Sequence, residues 1–289
     1  MSAALPGRGR PFGGLLLGLA MVLGIGGCGD GGTRSDPVEA EAETVLQFAR
    51  ASSDERAHGE RLARVLGCMG CHGEDLTGLD WSEPGFGRLW TANLTRAVPA
   101  YDDGTLVRAI AGGLRHDGTE LWEMPSFLFT TLSEPDMAAL IAFLRSRPPT
   151  GPVRPLPAFE AGARREIAAG TFTSSRAQVR ENGQRWPPDA GPSHALARYI
   201  VRATCAECHG IDLRGGRPTP EATPRPDLGI AAAYAREDFR RLMRTGVAAS
   251  NRELDMMSGV ARGRYAHFTD AEIDAVHAYL QARAQLEAN

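Results

Sequence analysis

The chain of 289 residues contains no lysine, so its 32 basic residues are all arginine, which we attribute to codon bias in a GC-rich genome. It also lacks an excess of charge of either sign, because the formal net charge is only −3. The composition therefore gives no reason to expect binding to nucleic acid. No segment alternates convincingly between apolar and polar residues, so β-strands and βαβ units are not expected. The length indicates about two domains, and the hydrophobic content of 43% is typical of a globular protein.

A long apolar run is also lacking, since residues 12–25 are apolar but too short and too glycine-rich for a confident membrane span. With Arg8 and Arg10 before it, this stretch has the charged start and short apolar middle of a secretory signal. It ends in Ile25-Gly26-Gly27-Cys28, which resembles the bacterial lipoprotein processing box. That resemblance implies attachment of a diacylglycerol to Cys28 and cleavage before it.

We therefore predict that residues 1–28 form a lipoprotein-type signal peptide that ends at the lipidation cysteine, and that residues 29–50 form a flexible tether. Acyl chains on Cys28 would hold the protein on the periplasmic side of a bacterial membrane. The alternatives are an ordinary cleaved signal or an uncleaved anchor, with Cys28 incidental.

The remaining sequence contains one pattern twice. Residues 68–78 and 205–215 share Cys-x-x-Cys-His-Gly-x-Asp-Leu-x-Gly. Apolar residues and a glycine then recur at intervals of five, four and three: Tyr101, Leu106, Ile110 and Gly113 in the first copy, and Tyr234, Phe239, Met243 and Gly246 in the second. A methionine follows each glycine by eleven residues, Met124 in the first copy and Met257 in the second. The spacing predicts that both copies have the same fold.

Helices are predicted before each cysteine pair and at the end of each copy. The last helix of each copy starts with a capping-box pattern, in which Ser133 precedes Asp136 and Thr269 precedes Glu272. We predict an all-α protein of two tandem helical domains, residues 51–147 and 193–289, joined by a Pro-rich linker over residues 148–192.

Cys-x-x-Cys-His is the attachment pattern of haem c. One helical turn sets the two thiols at the spacing of the porphyrin vinyl groups, and the histidine that follows reaches the iron. The competing interpretations are a zinc site, a redox disulfide and chance. Each pair is followed directly by histidine within its own repeat, and no βαβ pattern is present, so we predict two covalently bound haem c groups, on Cys68 and Cys71 and on Cys205 and Cys208.

Each iron needs a second axial ligand. The shared interval favours Met124 and Met257 over a role in core packing. Met256 remains a rival for Met257, and His116 lies close enough in the sequence to be a rival for Met124.

Each repeat resembles a class I cytochrome c domain, over about residues 55–147 and 190–285. The family pattern implies that His72 and His209 are proximal iron ligands and that Met124 and Met257 are distal ones. The segment Ala92-Asn93-Leu94-Thr95, with Met124-Pro125 and the helix at Leu132-Ser133, is similar to the cytochrome subunits of membrane-bound bacterial dehydrogenases. Those subunits often carry three haems, whereas this chain has motifs for two.

The sequence therefore predicts an electron carrier, not an enzyme, that transfers electrons between a periplasmic or membrane dehydrogenase and a downstream oxidase or cytochrome. One alternative is an electron-transfer subunit of a larger complex. Another is a dihaem redox enzyme, either a peroxidase or a sulfur-compound oxidoreductase, with one catalytic haem. Arg236, Arg240, Arg241 and Arg244 form a cluster that could face an acidic partner, or could be solvated charge without a partner.

Overall fold

The computed structural model describes residues 45–217 and 223–288. They belong to one compact unit that begins at Thr44. Its helices are α1 (Glu55–Val65), α2 (Cys68–His72), α3 (Leu94–Ala97), α4 (Asp103–Gly112), α5 (Glu134–Arg145), α6 (Ala161–Ala169), α7 (Ser175–Asn182), α8 (Ala195–Thr204), α9 (Ala206–His209), α10 (Arg236–Thr245), α11 (Asp255–Gly263) and α12 (Asp270–Ala288). Two short antiparallel strands, β1 (Gly87–Arg88) and β2 (Ala158–Phe159), are the only additions to the predicted all-α class among the described residues.

In the first repeat, α1 and α5 cross at very close range. A Cβ added to Gly59 of α1 would lie 1.9 Å from the carbonyl oxygen of Ala139 and 2.8 Å from the Cβ of Phe143, both in α5. Only glycine allows this approach, because any other residue would place its side chain inside the neighbouring backbone. The crossing fixes how the first and last helices of this repeat pack around its core.

The corresponding helices of the second repeat, α8 and α12, also pack against each other through apolar side chains. The predicted capping box forms at the start of α12, where the Thr269 amide donates to Glu272 Oε2 at 2.7 Å and the Glu272 amide donates to Thr269 Oγ1 at 3.2 Å. The predicted box of the first repeat does not form. Ser133 is the N-cap residue of α5 but its side chain makes no capping hydrogen bond, and Asp136 is fully buried.

Asp136 instead helps to join the two repeats. Its Oδ2 accepts hydrogen bonds from the Phe48 amide at 2.9 Å and from the Tyr199 hydroxyl of α8 at 2.7 Å. Phe48 itself is fully buried beside the Tyr199 ring. Residues 45–50 are therefore packed into the protein, and the tether predicted over residues 29–50 does not extend through its last residues.

Arg202 of α8 makes the second large contact between the repeats. Its side chain is fully buried, and it donates to backbone carbonyls of the first repeat and of the segment between the repeats: Phe127, Leu128, Gly183 and Arg185. Each of these carbonyls would lose a partner if the repeats separated. The two repeats are consequently packed together over a polar as well as an apolar contact.

The segment predicted as a linker folds onto the first repeat. It contains α6, α7 and β2, and β2 pairs with β1. We call residues 150–159 of this segment the strap. Asn93 Nδ2 binds it to the first repeat by donating to the carbonyls of Thr150 at 2.8 Å and Pro152 at 2.9 Å. Proline limits the backbone of this segment, but backbone carbonyls and strand pairing hold it in place.

Among the described residues, no helix has the length and apolar character needed to cross a membrane. The predicted signal peptide and Cys28 lie outside the described residues.

Candidate haem sites

The first motif forms α2, a single short helix that starts directly after Gly67. Gly67 has φ 86°, a left-handed conformation that glycine adopts at little cost, and it separates α2 from α1. His72 ends α2, and its Nδ1 lies 2.8 Å from the carbonyl oxygen of Ala92. A carbonyl can only accept, so the proton is on Nδ1 and the lone pair is on Nε2. The imidazole is held in the tautomer that a metal ligand needs.

The second motif has the same arrangement with a different start. Cys205 follows α8 without an intervening glycine, and α9 ends at His209. His209 Nδ1 lies 2.9 Å from the carbonyl oxygen of Pro226, so this imidazole has the same tautomer as that of the first repeat. The two acceptor carbonyls could not be predicted from the sequence, since a backbone carbonyl carries no side-chain signature.

The loops after the motifs also match. Leu76 and Leu213 both have φ 61°, which is unusual for a leucine. The carbonyl of Leu76 accepts from the Leu94 amide at 2.8 Å, and that of Leu213 accepts from the Leu228 amide at 2.9 Å. The shared His-Gly-x-Asp-Leu-x-Gly sequence therefore corresponds to one backbone conformation that appears twice.

A large cavity lies against the first motif, with an empty volume of about 1510 Å³ that includes space open to solvent. Its walls are mainly apolar, and four of the predicted site residues line it: Cys68, Cys71, His72 and Met124. Arg115 and Arg154 are the cations in its lining. Two thiols, an imidazole with a free Nε2 and a thioether around an apolar space fit a haem attached through thioether bonds.

Burial controls the protonation of these groups. It raises the pKa of Cys68 to about 12 and that of Cys71 to about 11, and it also raises the pKa of Cys205 and Cys208. Burial likewise lowers the pKa of both motif histidines, opposed by their hydrogen bonds to the carbonyls. The lowered pKa of both histidines favours the uncharged imidazole, as ligation by Nε2 requires.

The two predicted methionines occupy different local structures. Met124 follows Glu123, which has φ 62°, and precedes Pro125 in a loop. Met257 lies in the first turn of α11, half-buried and packed against the core, whereas the rival Met256 is 66% exposed. His116, the rival of Met124, is exposed and lies beside the Tyr101 ring.

The zinc and disulfide interpretations of the cysteines can be compared with the structure over the ranges 45–217 and 223–288. The four cysteines there are free thiols. Within the same ranges, no three histidine, cysteine or acidic side chains converge as ligands for a metal ion.

Comparison with known proteins bears directly on the second site. Residues 195–284 match the family model for cytochrome c. They form a cytochrome c domain. This segment contains Cys205, Cys208 and His209, and a cytochrome c domain implies covalently bound haem c and a role in haem-based electron transfer. The match covers less than half of the chain, and a search of curated proteins found no match.

The arginine cluster of the cytochrome c domain is not a free cationic surface. Arg236 and Arg240 of α10 both bind Asp274 of α12, and Arg244 binds Asp270 at 2.6 Å. The fourth member, Arg241, lies 2.8 Å from Asp238. Arg236, Arg240 and Arg244 hold α10 against α12, whereas the Arg241 pair lies within α10, and the hypothesis that the cluster faces an acidic partner stays a prediction.

Proposed function

We propose that this protein is a dihaem cytochrome c that carries electrons, with one haem on each motif. The observation that carries the proposal is the matched geometry of His72 and His209, each fixed by a backbone carbonyl at 2.8 or 2.9 Å. The second motif belongs to a cytochrome c domain, and the first has the same histidine tautomer, the same loop and, at Leu76, the same left-handed conformation as Leu213. The cavity beside the first motif adds the space that a haem requires.

Haem c supplies one-electron redox chemistry at its iron when it is bound. The chain's residues attach, orient and shield that group. Cys68 and Cys71 provide one pair of thioether bonds, and Cys205 and Cys208 provide the other. His72 and His209 present Nε2, and the mainly apolar walls of the first cavity would shield the bound group.

We assign the second axial position to Met124 in the first repeat and to Met257 in the second. Met124 lines the same cavity as His72, and Met257 is the half-buried member of the Met256–Met257 pair. Methionine favours reduced iron and raises the potential relative to bis-histidine ligation. With a histidine and a methionine available for each iron, the chain would leave no free position for a substrate, which suits electron transfer.

The donor in this proposal is a periplasmic or membrane dehydrogenase, and the acceptor is an oxidase or another cytochrome. Lipid on Cys28 would keep the carrier at the membrane surface, where both partners are found. Cys28→Ser should release the protein from the membrane fraction with its haem content unchanged. A variant that stays bound to the membrane would contradict the lipid anchor and leave the haem assignment intact.

The haem number is tested by mass and haem content of denatured protein, produced in a host that matures c-type cytochromes. The wild type should retain two haems. The double variants Cys68→Ser/Cys71→Ser and Cys205→Ser/Cys208→Ser should each retain one, on the other motif. A single haem in the wild type would refute the dihaem proposal, and peroxide turnover with a high-spin spectrum would favour a dihaem peroxidase over a carrier.

A further inference from the structure

The two haem-attachment helices meet at an ion pair that joins the repeats. Arg264, which follows α11, donates from Nη1 to Glu207 Oε2 at 2.6 Å. Glu207 lies inside the second motif, between Cys205 and Cys208, and it also lines the cavity of the first site. One residue of the second motif therefore borders the space assigned to the haem of the first.

The other side of the Arg264 guanidinium contacts the first motif. Its Nε donates to the Val65 carbonyl at the end of α1 at 3.3 Å. A Cβ added to Gly67 would lie 2.6 Å from Arg264 Cζ, so the absent side chain of Gly67 makes room for the guanidinium. Gly67 directly precedes Cys68, and the cation is consequently enclosed between the two attachment helices.

The position of the pair makes its charges felt at both motifs. Arg264 binds the Val65 carbonyl and packs against Gly67 beside the first motif, and its partner Glu207 lies within the second. The two side chains are only 12% and 27% exposed, so solvent screens them less than a surface pair. Arg264 Nη2 is also buried without a hydrogen-bond partner, which leaves part of the cationic charge uncompensated.

We propose that Arg264 and Glu207 form a positioning pair shared by the two haem sites, which holds the attachment helices together and sets both reduction potentials. The inference rests on the proposed dihaem function. A cation disfavours oxidised iron more than reduced iron, because the oxidised centre carries one more positive charge. Arg264 would therefore raise both potentials, and Glu207 would lower both.

Spectroscopic redox titration of the holoprotein tests the pair through opposite shifts. Arg264→Gln should lower both midpoint potentials, with about a tenfold change in the ratio of oxidised to reduced haem at fixed potential, equivalent to ~59 mV for a one-electron couple. Glu207→Gln should raise both. The double variant should return close to wild type, a cancellation that loss of packing alone would not produce.

Two further variants separate charge from local disturbance. Arg264→Lys keeps the positive charge, so both midpoint potentials should stay close to those of the wild type. Arg262→Gln removes an exposed cation two residues away, which pairs with Glu253, and should shift neither haem appreciably. A shift at one haem only, or shifts of the same sign for Arg264→Gln and Glu207→Gln, would overturn the inference. A haem content of two per chain in the same variants would show that the dihaem proposal still holds in that case.

Discussion

The carbonyls of Ala92 and Pro226 accept the hydrogen bonds of the two motif histidines. The residue that follows is Asn93 in the first repeat and Asp227 in the second. Asn93 uses its amide to donate to the carbonyls of Thr150 and Pro152 in the strap. Asp227 uses its carboxylate to accept from Arg283 in α12 at 2.7 Å. An NH₂ group in one repeat and an oxygen in the other thus bind different segments of the chain.

This difference shows how one local fold acquires two surroundings. In the first repeat the strap supplies Arg154, Pro155, Leu156 and Pro157 to the cavity wall, and the Arg154 guanidinium lies 4.3 Å from the centre of the Trp90 ring. In the second repeat the long α12 reaches the loop after the motif through Arg283. The histidine site is the same in both, while a different segment binds the residue that follows the acceptor carbonyl.

The largest expected effect concerns the axial methionines, where the repeats should respond alike although their local structures differ. Met124→Ala and Met257→Ala should each convert one of the two haems to a high-spin or water-ligated form with a lowered potential. Optical and magnetic circular dichroism spectra of the ferric protein would measure the converted fraction.

Met256→Ala is the matched control for the second repeat, because Met256 is exposed and should leave the spectrum unchanged. If Met256→Ala converts a haem and Met257→Ala does not, the ligand assignment in the second repeat is wrong.

The next effect tests whether the repeats are stable only together. Arg202→Met removes a buried guanidinium that donates to four backbone carbonyls, so we expect a loss of about 3 kcal/mol in the free energy of unfolding. Urea unfolding followed at both haems and in the far ultraviolet would measure it. Arg198→Met, on the same helix but paired with the exposed Asp189, should cost less than about 1 kcal/mol. Equal losses for the two variants would argue against a special role of Arg202 at the contact.

Asn93→Asp exchanges the donor of the first repeat for the acceptor of the second. Asn93 is buried, and a carboxylate there faces two carbonyl oxygens without donating to either. We expect a loss of about 2 kcal/mol, together with faster hydrogen exchange and proteolysis in the strap. Asn182→Asp is the control, since Asn182 uses its oxygen to accept from Arg185 and a carboxylate preserves that bond. A strap that stays protected in Asn93→Asp would contradict its anchoring by this residue.

The smallest effect is the reverse exchange, Asp227→Asn. The Arg283 hydrogen bond holds the pKa of Asp227 below its usual value, so its stabilisation is present above the unfolded pKa of about 3.9 and is lost as the pH falls through the folded pKa. Because Asp227 is partly exposed, we expect Asp227→Asn to lower stability at pH 7 by less than about 1 kcal/mol. The difference from wild type should shrink to nothing in strong acid. A difference independent of pH would mean that charge is not its cause.

The two capping boxes show where prediction from sequence stops. Both were predicted from the same spacing, but only Thr269 and Glu272 form one. In the first repeat Asp136 accepts from the amide of Phe48, 88 residues away, and from the hydroxyl of Tyr199 in the other repeat. The spacing identified both helix starts, because caps are local, and it could not show that a distant donor would take the carboxylate.

The ion pairs of the arginine cluster also could not be predicted from the sequence. The sequence shows four arginines on one helical segment, and only the fold shows that Asp270 and Asp274 of α12 lie beside them. Charge along the chain is local information, whereas pairing depends on which elements are neighbours.

The sequence by itself determined the attachment motifs, their repetition, the helices around them and the choice of Met124 and Met257 as candidate ligands. These depend on spacings within one helix or one loop, which are fixed by helical periodicity and covalent geometry. Only the tertiary structure decided that the Ala92 and Pro226 carbonyls orient the histidines, that the supposed linker encloses the first cavity, and that Arg264 lies between the motifs. Those contacts join residues far apart in the chain, and the packing of the whole core selects them from many pairs that the sequence alone would allow.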